Sequence, residues 1–256
     1  QYLRDLHEQR QRTGQPMIAH VNHLNFSQAI KAEELLRVEH LDFFEIYNGH
    51  PGVNQWGHDE RGLPTNDRIW DIVLSLRLRE DPRFMLYGVG TDDAHNYWDW
   101  GPRESNPGRG WIMVRAAELD ADTLILAMED GDFYSTTGVE LATMERGADA
   151  MHVAVAAEPG VTYTIQFVGT RTGFDDASEP VRGPDGEELP RATRRYSDEI
   201  GVLLQETQGP EARYTYAGDE LYVRARIRSD KPVENPVDAH EMEQAWVQPV
   251  AVAQAR

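Results

Sequence analysis

The chain has 256 residues, 40 % of them hydrophobic, with 44 acidic against 25 basic side chains and a net charge of −19. That length and hydrophobic share suffice to bury a core, and they exclude a disordered polymer. A strongly negative field repels phosphate backbones and anionic lipid, so neither nucleic acid nor a membrane surface is an expected partner. There is no cysteine, so a metal here must use His, Asp or Glu, and there is no disulfide to mark the compartment. No apolar run reaches the length of a bilayer span. The expectation is a soluble protein, cytoplasmic or periplasmic.

Elements were assigned in chain order from periodicity and turn chemistry. Residues 2–12 carry helical spacing and stop at Gly14-Gln15-Pro16. A short apolar strand, 17–21, runs into a polar segment, and Ser27 is placed to cap a helix reaching about Val38. LDFFEIYNG (41–49) reads as a strand, and Asp67 opens a helix that stops before Pro82. FMLYGVG (84–90) reads as the next strand, followed by the turn TDDAH. WIMVRA (111–116) is a strand, and DADTLILAMEDG (120–131) is a helix capped by Asp120 or Asp122, with Gly131 just past its end. Strand and helix alternating at this spacing predict parallel βα units over 1–149. From Met151 the runs MHVAVAAE, VTYTIQFVG, GVLLQET, RYTYA and ELYVRARIRS alternate, and they predict an antiparallel β-sandwich over 150–256. Residues 173–199 read as a long surface loop.

Ligands of parallel α/β sheets bind at the carboxyl ends of the strands. Three strand ends carry metal-competent or polar side chains: His20, Asn22, His23 and Asn25; then Glu45, Asn48 and His50; then Asp92, Asp93 and His95. Each member has an ordinary structural reading, as a helix cap, a core histidine or a turn residue. The cluster is the stronger signal. The remaining histidines read as surface or structural.

At these residues the chain resembles the polymerase-and-histidinol-phosphatase (PHP) family of metallohydrolases, in its carbaryl-hydrolase-like branch. The segments that carry the likeness are NHLNF (22–26), FEIYNGHPGVN (44–54), IWDIVL (69–74), YGVGTDDAH (87–95), GWIMVRAAEL (110–119) and GDFYSTTGV (131–139). DELYVRARIRSDKP (219–232) and QAWVQPV (244–250) resemble the β module that often follows such a barrel. The resemblance implies the later strands of a (βα) PHP-type barrel followed by a β-sandwich. It implies His23, Asp93 and His95 as ligands of a divalent Zn, Mn or Fe ion. It implies Glu45, Asn48 and His50 as part of a segment lining the pocket, and the strand-end cluster adds His20, Asn25 and Asp92 as expected pocket residues. Leu24 stands where the family usually has Pro.

The family's opening H-x-H is absent. Residues 1–16 look like the helix before the fifth barrel strand, so a missing N-terminal segment or a second copy of the chain is expected to complete the barrel. The expected activity is metal-dependent hydrolysis of a small phosphorylated molecule. A carbamate or other ester is the alternative substrate. The rival reading is a non-catalytic, degenerate relative that binds a ligand or a partner.

Overall fold

The computed structural model describes residues 1–27, 29–58 and 61–252. A helix α1 (Tyr2–Thr13) ends at Gly14, whose left-handed backbone, φ 71°, lets its N–H reach the Arg10 carbonyl. Three parallel strands follow, β1 (His20–Val21), β2 (Phe43–Asn48) and β3 (Tyr87–Thr91), in the spatial order β1-β2-β3. A single helical turn α2 (Ala32–Leu35) links the first two, and the 15-residue helix α3 (Asn66–Glu80) links the second pair. The cap of α3 is Thr65, two residues before Asp67, and its side chain accepts from the Arg68 N–H. Ser27 caps nothing; it has φ 50°, and α2 begins after Lys31.

The chain then changes character. β4 (Trp111–Val114), the nine-residue helix α4 (Ala121–Glu129) and β5 (Phe133–Thr136) form an antiparallel pair. The remaining strands are β6 (Leu141–Arg146), β7 (Ala150–Val155), β8 (Tyr163–Arg171), β9 (Ser178–Glu179), β10 (Arg195–Tyr196), β11 (Val202–Gln208), β12 (Glu211–Thr215), β13 (Glu220–Pro232) and β14 (Met242–Ala251). They build a six-stranded sheet ordered β11-β8-β13-β14-β5-β4, a three-stranded sheet β12-β7-β6 and a small pair β9/β10. β14 pairs with β5, so the large sheet draws strands from both sides of residue 149.

The expected partial (βα) PHP-type barrel is therefore corrected: most of the described residues' regular structure is β, in several antiparallel sheets, and no barrel forms. The physical reason lies at β3. Gly88 donates its N–H to Gln248 of β14, and its carbonyl accepts from the Gln248 amide and the Ser135 hydroxyl. Side chains of the large sheet thus occupy the groups with which a further parallel strand would bond. A Cβ on Gly90 would sit 3.0 Å from the Trp111 carbonyl, so the glycine is what lets β4 and β5 come this close. α4 is the connection between the antiparallel strands β4 and β5; it buries no residue fully and only leans Met128 on the Phe43, Val89 and Phe133 cluster.

The large sheet is covered on both faces. Along β13, Val223, Ala225 and Ile227 face the three-stranded sheet, packing with Met151, Val153, Ile165 and Phe167. The intervening Tyr222 and Arg224 face α3, where Ile69, Trp70, Val73 and Leu74 form a second core with Phe44, Ile46 and Trp246. This alternation follows from the two-residue period of a strand. Arg224 is 1 % exposed and bonds both oxygens of Asp71 at 2.8 Å, meets Asp67 at 2.8 Å and lies over the Trp70 ring. Residues 173–199, expected as a surface loop, contain β9 and β10 and bury Phe174, Val181, Ala192 and Tyr196. Among the described residues no helix is long and apolar enough to cross a membrane.

Candidate functional site at the carboxyl ends of the parallel strands

The rim at the ends of β1, β2 and β3 is organised around Glu45. Its side chain is 3 % exposed, and no Lys or Arg pairs with it among the described residues. Its acceptors are used by neutral donors from three segments: the His23 N–H and the Asn48 amide on one oxygen, the Thr91 hydroxyl on the other at 3.0 Å. Thr91 lies directly opposite Asn48 in the β2–β3 register, which is what brings its hydroxyl into reach. The His20 ring stands 3.8 Å from the second Glu45 oxygen.

Asn48 is fully buried and joins the two carboxylates. Its amide donates to Glu45 at 2.8 Å and to Asp93 at 3.3 Å, while its carbonyl oxygen accepts the His50 N–H. His23 and Asp93 both adopt positive φ, 26° and 49°. Such backbone is uncommon outside glycine and concentrates where a structure holds a side chain for a purpose.

Two of the rim's histidines, His50 and His95, hold opposite tautomers. The Gly52 N–H donates to His50 Nδ1 at 2.9 Å, so neutral His50 carries its proton on Nε2 and is a donor there. His95 Nδ1 lies 2.7 Å from the Asp93 carbonyl, which can only accept, so Nδ1 is protonated and Nε2 keeps a free lone pair. A backbone carbonyl on Nδ1 is a usual way of aiming Nε2 at a metal. The rings are 5.6 Å apart and edge to face. His50 also meets Phe26, which in turn meets His23.

Two expected pocket residues serve elsewhere. Asn25 is buried and donates to the Pro64 carbonyl and to Asn66, tying β1's exit to the start of α3. Asp92 accepts the Ala94 and Gly108 N–H groups and so closes the loop 92–108. Among the other histidines, His7 stacks on His40 and His152 bonds Glu211.

Sequence reading missed Thr91, Asn106 and Arg109. Asn106 donates to the carbonyls of Asn96 and Asp99. Arg109 is fully buried and donates to the carbonyls of Gly49, Gly101, Glu104 and Asn235. Together they fix the loop beside His95, which presents Tyr97, Trp98 and Trp100 to solvent. The only sequence signal for them was the charge and amide content of a Gly/Pro-rich stretch, which reads as an ordinary solvated loop.

The donor set suits a divalent cation in kind, being imidazole and carboxylate. Two pairs, His20 with Glu45 at 3.8 Å and His95 with Asp93 at 3.9 Å, are too far apart for a hydrogen bond. In the second pair the histidine atom is the Nδ1 already bonded to the Asp93 carbonyl, and in the first the Glu45 oxygen already accepts from Thr91, so neither distance is one between two free ligand atoms. Among the described residues, no three His, Asp or Glu side chains converge as a closed metal centre. The segments that carry His23 and Asp93 meet at one edge through Glu45 and Asn48, and His95 follows Asp93 on the same turn. No family model, curated protein or solved structure matches the chain.

Proposed function

We propose that this rim is the site of a metal-dependent hydrolase acting on a small phosphoester. The observation that carries the reading is that segments 20–23, 45–50 and 91–95 converge on one buried carboxylate, with left-handed His23 and Asp93 at its edge. The likeness of NHLNF and GTDDAH to metallohydrolase motifs supports it. His23, Asp93 and His95 would hold the cation, which when bound supplies a polarised water and charge neutralisation. Glu45 holds the His23 backbone, and Asn48 fixes the Asp93 carboxylate. The His50 Nε2–H is a donor for a substrate oxygen.

The test is release of nitrophenol from p-nitrophenyl phosphate by the chain with Zn²⁺ or Mn²⁺, beside the corresponding carbamate and acetate. Metal-stimulated turnover that falls about 100-fold or more in Asp93→Ala and His95→Ala supports the reading. Equal turnover in wild type and both variants refutes it.

A second reading, a non-catalytic binding protein, is favoured by one observation: Glu45 is already saturated by donors of the chain itself. It predicts a folded protein that turns over none of the three esters with any of the metals.

A further inference from the structure

Away from the rim, a cavity of about 360 Å³ opens between the start of α3 and the segment that carries β10. Its volume falls within the ~300–1,000 Å³ of small-molecule sites. Leu63 and Ile72 form an apolar wall, and Arg68, Arg194 and Arg195 bring three guanidinium groups to it against one carboxylate, Asp198.

None of these arginines forms an ion pair among the described residues. Arg68 donates to the carbonyls of Tyr196, Ser197 and Ile200, and Arg194 donates to the hydroxyl and carbonyl of Ser178. Glu33 accepts the Arg194 backbone N–H and the Tyr196 hydroxyl, not a guanidinium, and Glu179 lies opposite Arg195 in the β9–β10 register without forming an ion pair with it. The Arg195 guanidinium, exposed, has no hydrogen bond or ion pair among the described residues. Arg4, Arg10, Arg79, Arg83, Arg115, Arg171 and Arg224 each meet a carboxylate within 4 Å, whereas Arg12, Arg37 and Arg77 do not among the described residues, so what sets the cavity apart is the gathering of three such arginines at one place. In a chain with 44 acidic side chains, three arginines gathered on one cavity with no ion pair among the described residues hold a field that attracts an anion. Carbonyls orient Arg68, and Ser178 orients Arg194, without quenching either charge; Arg195 is left with its planar fork of donors free for a bidentate oxyanion.

We propose that this cavity binds a small organic anion, its phosphoryl or carboxylate group on Arg195 within the field of Arg68 and Arg194, its apolar body against Leu63 and Ile72. The site is separate from the rim and does not depend on the hydrolase reading.

The experiment is calorimetric titration of the whole chain with phenyl phosphate, benzoate and inorganic phosphate, at low ionic strength with chelator present. Saturable one-to-one binding is expected for phenyl phosphate or benzoate, and whichever binds tighter identifies the charged group. Inorganic phosphate, lacking the apolar body, should bind at least about threefold more weakly. Arg195→Gln should weaken binding about tenfold, and Asp198→Asn should tighten it about two- to fivefold. His95→Ala should leave it unchanged, which separates this site from the rim. No saturable binding of either aromatic anion overturns the proposal. So does unaltered affinity in both Arg195→Gln and Asp198→Asn, or loss of binding in His95→Ala.

Discussion

Arg224→Met tests how the two cores are joined. The arginine is 1 % exposed and spans from β13 to α3, bonding Asp71 through two 2.8 Å contacts and meeting Asp67 through a third. Methionine keeps much of the apolar stem over Trp70 but leaves two carboxylates inside the protein. Asp67 retains Arg226 at 3.5 Å and the Trp246 N–H at 3.3 Å, whereas Asp71 retains the Tyr222 hydroxyl and no cation. Removing one partner of a buried ion pair typically costs about 3–5 kcal/mol, most of it the stranded charge. For a chain of this size that is a fall in Tm on the order of 10 °C. The assay is urea unfolding followed by near-UV circular dichroism, which reads the packed tryptophans. The decisive comparison is the triple variant Arg224→Met, Asp67→Asn, Asp71→Asn, which removes the stranded charges and should recover at least about half of the loss. A loss below about 1 kcal/mol in the single variant would refute the argument. So would a triple variant no more stable than the single one.

Three further outcomes follow from the same structure. Burial pushes the Asp67 carboxyl up, but Arg224 and Arg226, with the Trp246 N–H, outweigh it and hold its pKa below the usual aspartate value. Its contribution is therefore present above the unfolded-state pKa of about 3.9 and is lost as pH falls through the lower folded value; urea midpoints should drop less steeply below pH 4 in Asp67→Asn than in wild type, and parallel curves would contradict this. Asn48→Ala removes the amide donor shared by Glu45 and Asp93 and strands the His50 N–H, so it should cost about 2–4 kcal/mol in urea unfolding and weaken any metal binding at the rim. Arg109→Met removes the guanidinium from four backbone carbonyls, of which Gly101 and Glu104 keep the N–H groups of Glu104 and Asn106, and hydrogen exchange should accelerate selectively across residues 93–108 while the strands of the large sheet keep their protection.

Local chemistry was legible in the sequence where it is short-range. Strand β2, helix α3 and strand β3 fall within a few residues of their expected bounds because a continuous apolar run, a helical period and a β-branched run each leave a direct pattern. The gathering of His20, His23, Glu45, Asn48, His50, Asp93 and His95 at one rim also follows from strand ends in a parallel sheet. What could not be read was the partner of each strand. β4 looks like one more parallel strand, and only the bonds of Gly88 to Gln248, 160 residues away, and to Ser135 show why the parallel sheet ends at β3. The polar stretch 173–199 reads as a loop because its charge and glycine content hide the spaced Phe174 and Tyr196 that join the core around α3. Asn25 and Asp92 were drawn into the site by sequence proximity, yet a shift of one or two residues along a turn reverses the direction of a side chain.

The central claim, that the rim binds a divalent cation through His23, Asp93 and His95, is tested most directly by elemental analysis of the purified chain after exposure to Zn²⁺ and Mn²⁺ and dialysis without chelator. The account predicts about one equivalent of metal retained by wild type and lost in Asp93→Ala and His95→Ala, with the circular dichroism of the β-sheets unchanged. Absence of metal in wild type, or equal retention in wild type and both variants, would contradict it.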